Sequence, residues 1–423
     1  MLKPEDNELL VRIGPGTAMG NLFRRFWTPI MVAEEIAEPD GPPVKVDVLG
    51  EKLVAFRDSN GRIGLLDAYC THRRANLFWG RNEECGLRCA YHGWKFDVDG
   101  NCVDVPNAPE GGRIKRNMHT KAYPTLEQGG LVWAYLGPPE KMPKPPMAEI
   151  FNAPESHRVI RKIVVRGNWA QLAEGDIDSS HVSFLHSDSV SALNNARRSG
   201  LQILQDKSPR WFVRQTDYGL MLAAQRDAGP EHYSWRVNQW LMPQATMVAA
   251  HADTPILAQV RTPIDDEHTI LFRVFAHPTR PLTEEERAST NNGVFFPDLI
   301  PGTFFPAENS DNNYRIDRAR QKAGSFTGIR SIVAQDLAVT QDQGGIIVDR
   351  SRERLTSSDT AIVTWRRRML DAAKALRDGQ EPPEAQRPES YRVRPIEVVL
   401  PRGVDIGEGA RQEMLGAPLG EAA

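Results

Sequence analysis

Residues 70–96 read CTHRRANLFWGRNEECGLRCAYHGWKF, and this stretch decides the fold of the first part of the chain. It holds two pairs of potential metal ligands, Cys70 with His72 and Cys89 with His92, separated by 16 residues. The chain has only four cysteines, and all of them lie in or close to this stretch. Because cysteines clustered in so short a segment cannot staple a large protein with disulfides, they favour a metal site.

The spacing of the two pairs distinguishes between the metal centres that such residues can hold. In a Rieske [2Fe–2S] cluster, one iron takes two cysteines and the other takes two histidines. Two hairpin loops would then each present one cysteine and one histidine, which is the order Cys-x-His and Cys-x-x-His found here. Zinc fingers usually pair cysteine with cysteine and histidine with histidine. The spacing therefore favours the cluster over zinc and over chance clustering of buried residues.

Length and composition limit the class of protein. A chain of 423 residues is long enough for two or more domains, each with its own core. The net charge is −3 and no strongly basic stretch occurs, so nothing indicates nucleic acid as a partner. No window reaches the roughly 18 uninterrupted apolar residues of a membrane span, and the N-terminal residues lack the apolar core of a secretory signal. These features predict a cytoplasmic protein that binds neither membrane nor nucleic acid.

The pattern of strands and helices changes at a proline-rich connector over residues 137–146. Before it, short alternating runs separated by turns predict a small antiparallel sandwich or barrel. After it, strands and helices are mixed, which predicts an α+β domain with an antiparallel sheet packed by helices, similar to a helix grip. We therefore expect an all-β domain with an N-terminal extension over residues 1–140 and a catalytic domain over residues 141–423. The predicted strands of the second domain are 158–166, 211–226, 233–242, 246–251, 256–262 and 268–277, and its predicted helices are 169–186, 283–291, 330–343 and 359–377.

A second group of potential metal ligands follows the connector, in the order Asp178-x-x-His181-x-x-x-x-His186. Two histidines and a carboxylate are the ligand set of mononuclear Fe(II) sites that keep positions open for O2. In an ideal helix, residues five apart lie roughly 140° apart around the axis, so they cannot face one metal. The helix must therefore kink or end between His181 and His186, and the third ligand must come from elsewhere in the fold.

Both motifs resemble a known family. Segments 70–75 and 89–96 are similar to the Rieske motif of aromatic ring-hydroxylating oxygenase α subunits. The run 168–181 is similar to the iron-site helix of the phthalate dioxygenase-like branch of these Rieske non-haem iron oxygenases. The resemblance extends from the N-terminus to about residue 375. One departure is Arg74, which stands where the family usually carries glycine, beside the ligands but not among them.

The resemblance implies a role for each motif residue. The [2Fe–2S] cluster and Fe(II) of the family would be held by Cys70, His72, Cys89, His92, His181 and His186. The segment 334–343 resembles the late helix that carries the third iron ligand, which makes Asp336 the expected ligand and Asp342 the alternative. Asp178 would hydrogen-bond one iron-ligating histidine and bridge to a Rieske histidine of the neighbouring subunit.

The resemblance also implies the reaction and the partners. Such a chain is the oxygenase component of a multicomponent enzyme, which uses O2 and NADH-derived electrons to hydroxylate an aromatic ring. No nucleotide-binding glycine motif follows a strand here, so an NADH-dependent reductase with flavin and iron–sulfur centres is expected as a separate protein. In this family the two metal sites of one subunit lie too far apart for efficient electron transfer. A ring-closing homotrimer, or stacked trimers, is therefore expected.

The substrate implied by the phthalate-type branch is an aromatic carboxylate such as a phthalate, converted to a cis-dihydrodiol. The two-pronged guanidinium of arginine suits a carboxylate, and the predicted strands carry three candidates, Arg214, Arg226 and Arg236. A monooxygenase or O-demethylase would use the same metal ligands and is the main alternative. A plain Rieske electron-transfer protein would leave the second motif unexplained, and a zinc-binding module is the remaining non-enzyme alternative.

Overall fold

The computed structural model describes residues 2–109, 113, 115–188 and 201–417. After two N-terminal helices, the first part of the chain consists of short strands. These are β1 Trp27–Val32, β2 Val44–Val48, β3 Glu51–Arg57, β4 Ile63–Asp67, β5 Arg81–Glu83, β6 Gly86–Arg88, β7 Lys95–Phe96, β8 Cys102–Asp104, β9 Thr125–Gln128 and β10 Leu131–Tyr135. They form antiparallel sheets in the orders β1-β10-β9, β2-β3-β4 and β5-β6-β7-β8. The prediction of an all-β fold for this part is confirmed.

One large antiparallel sheet dominates the second part of the chain. Its strands are β11 Arg158–Arg166, β12 Arg210–Thr216, β13 Gly219–Asp227, β14 His232–Leu241, β15 Ala245–Val248, β16 Ile256–Pro263, β17 His268–Ala276 and β18 Ile396–Pro401. Their order is β11-β17-β16-β15-β14-β13-β12, and β18 pairs with the half of β14 that precedes its pairing with β15. Side chains alternate between the two faces of this sheet along each strand.

The described residues also form helices, and one of them packs on a face of the large sheet. The helices are α1 Pro4–Val11, α2 Ala18–Phe23, α3 Trp169–Ile177, α4 Leu201–Gln205, α5 Glu284–Ser289, α6 Arg318–Lys322, α7 Ile332–Thr340, α8 Thr360–Arg377 and α9 Ile406–Gly409. Trp169 of α3 shares a hydrophobic core with Leu222 and Trp240 of the sheet, and Trp365 of α8 lies 5.6 Å from Trp169 between ring centroids. This packing confirms the predicted α+β class. None of the helices in the described residues is long and apolar enough to cross a membrane.

Helix α3 ends earlier than the sequence predicts. The predicted helix ran to residue 186 and was broken between His181 and His186, whereas its last helical residue is Ile177. Asp178 is extended, and its carboxylate accepts hydrogen bonds from the backbone N–H groups of Ser180, at 2.7 Å, and His181, at 3.3 Å. A turn of this kind competes with the helix for the backbone, which explains the early end.

The residues before β1 pack on the second part of the chain. Helices α1 and α2 both contact α8. The Lys374 ammonium of α8 lies 2.6 Å from a carboxylate oxygen of Asp6, and Arg350 donates to the side-chain oxygen of Asn7 at 3.0 Å. The N-terminal helices therefore share one hydrophobic core with α3 and α8 and with residues of the small sheets, such as Val48 and Leu53.

Candidate metal centres

The two cysteine–histidine pairs lie in two loops that are built alike. One loop connects β4 to β5, and the other joins β6 to β7. In each loop the cysteine N–H donates to the carbonyl five residues further on, from Cys70 to Ala75 at 2.8 Å and from Cys89 to Trp94 at 2.8 Å. Each loop is therefore closed by its own backbone, with the histidine between the closed ends.

The residue four places after each cysteine has a left-handed backbone. Gly93 has φ +78° and Arg74 has φ +58°, and the N–H of each donates to the carbonyl of the cysteine in its loop. This conformation favours glycine because it crowds a side chain, so Arg74 occupies a strained position. The Arg74 guanidinium lies 4.8 Å from the centre of the Tyr69 ring and 3.8 Å from a carboxylate oxygen of Asp67. These two contacts hold the side chain beside the loop.

The side chains of the two loops fit an iron–sulfur cluster. Both cysteines are buried, whereas both histidines are only partly buried, and the His72 and His92 rings lie 4.5 Å apart. Burial, with Cys89 next to it, raises the pKa of Cys70 to about 11, so a thiolate here requires a neighbouring cation. Nδ1 of His72 is buried without a hydrogen-bond partner among the described residues. Two buried thiols and a buried ring nitrogen without a hydrogen-bond partner among the described residues suit a cluster with two kinds of iron ligand.

The second group of potential ligands comes together from two segments. His181 begins a 3-10 turn after α3, His186 follows that turn, and Asp336 lies on α7. Potential ligand atoms of the three residues all lie within 4.8 Å of one another. The Nε2 atoms of His186 and His181 lie 2.8 Å and 3.7 Å from the same oxygen, Oδ1 of Asp336. Asp342 is exposed beyond the end of α7 and is not part of this group.

The other ring nitrogen of each histidine has a protein partner. Nδ1 of His181 lies 3.3 Å from Oδ2 of Asp178, and Nδ1 of His186 lies 2.7 Å from Oε1 of Gln335. Burial alone would raise the pKa of Asp336, but His186 and His181 outweigh it and hold that pKa below its ordinary value. Two imidazole nitrogens and an ionised carboxylate thus converge on one point. This donor set fits Fe(II) with positions left open.

Comparison with known proteins assigns the chain to a family. A model of the Rieske [2Fe-2S] domain matches residues 26–124, and a model described as LigXa C-terminal domain like matches residues 134–413. The chain is 41% identical over 395 residues to the oxygenase subunit of phthalate 4,5-dioxygenase from Pseudomonas putida, covering 90% of this chain and 88% of that one. The chain belongs to the Rieske oxygenase family.

This Rieske oxygenase has further relatives over nearly its full length. It is 38% identical over 405 residues to the 3-chlorobenzoate-3,4-dioxygenase oxygenase subunit of Comamonas testosteroni, covering 92% of this chain and 93% of that one. Its fold is also that of an NdmA mutant from Pseudomonas putida CBB5 with theobromine, with a TM-score of 0.61, 20% identity, and coverage of 87% of this chain and 96% of that one. The protein is the oxygenase component of a multicomponent oxidoreductase, and its cofactors are a Rieske [2Fe–2S] cluster and non-haem Fe(II).

The three candidate arginines of this Rieske oxygenase lie in different surroundings. Arg214 is on the opposite face of the sheet from the other two, and its guanidinium pairs with the exposed Asp405. Arg226 is buried and donates to the Ser179 carbonyl at 2.9 Å. Arg236 lies 3.5 Å from the Ser179 hydroxyl, and its Nε has no hydrogen-bond partner among the described residues. The fold thus brings Arg226 and Arg236, but not Arg214, to the turn that leads into the iron site.

Two buried groups near the iron site were not singled out from the sequence. Glu174 of α3 accepts hydrogen bonds from Arg350 at 2.9 Å and from Arg366 at 2.7 Å. Burial alone would raise the pKa of Glu174, but the two arginines outweigh it and lower that pKa. The sequence signal for Glu174 was an acidic residue within a helix predicted to pack in the core. A buried carboxylate needs a cationic or hydrogen-bonding partner, so this residue could have been examined for one. Gln335 directly precedes Asp336, and only this adjacency could have indicated it.

Proposed function

We propose that this oxygenase component dihydroxylates an aromatic carboxylate, such as a phthalate, to a cis-dihydrodiol. It would use O2 and electrons from a separate NADH-dependent reductase with flavin and iron–sulfur centres. The observation that carries the proposal is Arg236, which reaches the turn before the iron site with an Nε that has no hydrogen-bond partner among the described residues. Relatives named for phthalate and 3-chlorobenzoate dioxygenation agree with this substrate class.

The cofactors would be held by the side chains that the fold brings together. The proposed cluster ligands are Cys70, His72, Cys89 and His92, and the proposed iron ligands are His181, His186 and Asp336. When bound, the two metal groups supply electron transfer and O2 activation. Burial by itself lowers the pKa of His181, but Asp178 and Asp336 outweigh it and raise that pKa. Asp178 thus accepts from Nδ1–H of His181, fixes the ring, and leaves Nε2 free for the metal.

The substrate carboxylate would bind Arg236, which lies on the same face of the sheet as Arg226. The nearest charged partner of Arg236 is Glu397, whose Oε2 lies 3.7 Å from Nε and is too distant for a hydrogen bond. Burial, with Arg236 beside it, lowers the pKa of Arg226 to about 10. Two neighbouring guanidinium groups therefore make this side of the site attractive to an anion, and Nε of Arg236 is a buried donor without a hydrogen-bond partner among the described residues.

We further propose a head-to-tail homotrimer or stacked trimers, in which the cluster loops of one subunit meet the iron site of the next. Tyr91, beside the cluster histidines, is 56% exposed and carries the Arg73 guanidinium 5.4 Å above its ring. Phe184 and Phe326, beside the iron ligands, form an aromatic pair and are 43% and 54% exposed. Lys207 lies 4.9 Å from the centre of the Phe184 ring, so exposed aromatic rings with a neighbouring cation occur beside both sites, and two such surfaces on one chain support a ring-closing contact. Asp178 would then be the bridge between subunits.

We also propose that the chain divides near residue 140 and acts in the cytoplasm, where NADH is available. The proline-rich connector and the gap between the two family matches, which end at residue 124 and begin at residue 134, support this division. The N-terminal helices are the exception, since they pack on the second part.

The first test is mass spectrometry of the products formed by purified protein, a phthalate-type reductase, NADH and 18O2. Phthalate isomers and methoxybenzoates are the panel. Two labelled atoms in a dihydrodiol of one carboxylate are expected. One labelled atom, or formaldehyde from a methoxybenzoate, would replace the proposal with a monooxygenase or O-demethylase. NADH consumption without product from any carboxylate would reject the substrate class.

A second test concerns the carboxylate anchor. Arg236→Gln should raise KM for the carboxylate roughly 10- to 100-fold, because a charged hydrogen bond contributes about 1.5–3 kcal/mol. The matched control is Arg214→Gln, on the opposite face of the same sheet, which should leave KM unchanged. Both variants should keep their metals. An equal effect of the two substitutions on KM would reject Arg236 as the anchor.

A third test concerns the bridge between the metal sites. Asp178→Asn should keep both metals but slow the reoxidation of the reduced cluster, measured by stopped-flow absorbance in the presence of substrate and O2. Asp342→Asn, a substitution at an exposed carboxylate, is the control and should reoxidise as the wild type does. Wild-type reoxidation in Asp178→Asn with both metals present would reject the bridge.

A further inference from the structure

The side chain of Gln335 is held at both ends. It is 2% exposed, its Nε2 donates to the Ile329 carbonyl at 2.8 Å, and its Oε1 lies 2.7 Å from Nδ1 of His186. A carbonyl oxygen only accepts hydrogen bonds, so the end of the amide that faces Ile329 must be the NH2 group. This contact fixes the direction of the amide and leaves its oxygen facing the imidazole.

The direction of the amide determines the proton position on the imidazole. Because Oε1 of Gln335 only accepts, Nδ1 of His186 must carry the hydrogen that it donates. In the neutral ring, Nε2 then carries the lone pair that can bind a metal, and this atom lies 2.8 Å from Oδ1 of Asp336, the other proposed ligand. We infer that Gln335 is a positioning residue, which fixes the tautomer and ring plane in which His186 binds the mononuclear metal. This inference rests on the ligand set of the proposed function.

The two histidines are supported by different chemistry. His181 is backed by a carboxylate, Asp178, whose side chain is 23% exposed. His186 is backed by a neutral amide in a nearly dry position. Gln335 also neighbours Asp336 on α7, so one helix supplies a proposed ligand and the group that orients another. A substitution of Gln335 that removes the amide oxygen should therefore weaken metal binding although it changes neither His186 nor Asp336.

The experiment compares metal binding by variants of the full-length protein. Mononuclear iron is removed by a chelator, the cluster is retained, and Co2+ is titrated while its visible ligand-field bands are recorded. Gln335→Met keeps the volume but removes the acceptor, and should weaken Co2+ binding about 10- to 100-fold, as loss of an outer-shell partner typically does. Gln335→Glu keeps an oxygen that faces His186, and in the protonated form that burial favours it also keeps a donor for the Ile329 carbonyl, so it should bind Co2+ within about threefold of the wild type.

The matched control is Gln171→Met. Gln171 is 1% exposed, donates to the Thr340 carbonyl of the same helix α7 at 2.6 Å, and accepts from the Val348 N–H at 3.1 Å. Gln171→Met removes a buried amide that makes two hydrogen bonds, one of them to α7. The substitution leaves the hydrogen bonds of both histidines intact. Co2+ affinity and band positions in Gln171→Met should be those of the wild type.

The possible outcomes distinguish a failure of this inference from a failure of the proposed ligand set on which it rests. Wild-type protein that binds no Co2+, or binds it equally after His186→Ala, would overturn the proposed ligands. Wild-type binding with equal losses in Gln335→Met and Gln171→Met would overturn the role of Gln335 alone. A loss in Gln335→Glu as large as that in Gln335→Met would also overturn it, because the acceptor is retained in the first of these.

Discussion

The cluster site lies in two short loops, each closed by a backbone hydrogen bond of 2.8 Å within the loop. The iron site instead joins side chains from two segments that are far apart in the sequence, and the helix before it is fixed by Glu174, buried between Arg350 and Arg366. A site made of two turns depends on local backbone geometry, whereas an assembled site depends on the whole core around it. The two sites should therefore fail separately, and through different kinds of substitution.

The largest effect is expected from loss of a proposed cluster ligand. Cys89→Ser should abolish the visible absorbance and the EPR signal of the reduced cluster, and NADH-driven turnover should fall below detection, because the cluster needs all four of its side-chain ligands. Co2+ binding at the chelator-treated iron site should stay within about twofold of the wild type. Cys102→Ser, at another buried cysteine, is the control and should keep its cluster. A Cys89→Ser protein that loses both sites would contradict their independence.

The next largest effect distinguishes the two candidate carboxylates of the iron site. Asp336→Asn should weaken metal binding by more than the roughly 100-fold that loss of an outer-shell partner can cost, since the substitution removes a proposed ligand itself. Asp342→Asn should bind metal as the wild type does, because that side chain is exposed beyond the end of α7. Both variants should keep the cluster spectrum. Metal loss in Asp342→Asn instead would show that the third ligand is assigned wrongly.

A stability effect should follow from breaking the buried ion network of α3. Glu174→Gln leaves two buried arginines incompletely paired, which should lower the free energy of unfolding by about 3–5 kcal/mol. Denaturant unfolding followed by tryptophan fluorescence measures it, and the cluster spectrum of the folded protein should be unchanged. Glu8→Gln is the control, because the pair of Glu8 with Arg12 is exposed and should contribute about 0–1 kcal/mol. Equal losses in the two variants would remove the distinction between a local site and an assembled one.

The smallest effect is expected from a substitution that compares the backbone conformations of the two cluster loops. Arg74→Gly should change the unfolding free energy by no more than about 1 kcal/mol, because relief of the left-handed strain is offset by the lost contacts with Tyr69 and Asp67. At the equivalent place in the other loop, a Cβ on Gly93 would lie 2.7 Å from Cγ of Pro106, so Gly93→Ala should destabilise clearly. A tolerated Gly93→Ala, measured by thermal unfolding, would contradict the close approach of Pro106 to this position.

Sequence alone predicted the local features better than the distant ones. The cysteine–histidine loops could be recognised because their potential ligands share one stretch, and most strands of the large sheet lie close to their predicted positions. The predicted strand 211–226 was wrong, because this segment turns at residues 217–218 and forms the antiparallel pair β12 and β13, and β18 was not predicted. The end of α3 was misplaced because the Asp178 side chain competes with the helix for the backbone N–H of Ser180. Gln335 was not singled out, because its partner His186 is 149 residues away and their contact exists only in the folded core.

The packing of α1 and α2 on α8 also has a consequence for how the chain folds. It makes the cluster domain an insertion, tethered to the rest of the molecule at both ends. As the chain leaves the ribosome, these two helices emerge before the cluster domain, but their partner helix emerges only after that domain and the large sheet up to β17. Such a long-range contact forms slowly, because a very large loop must close before it forms. The cluster loops can close early, whereas the core behind the iron ligands is completed last.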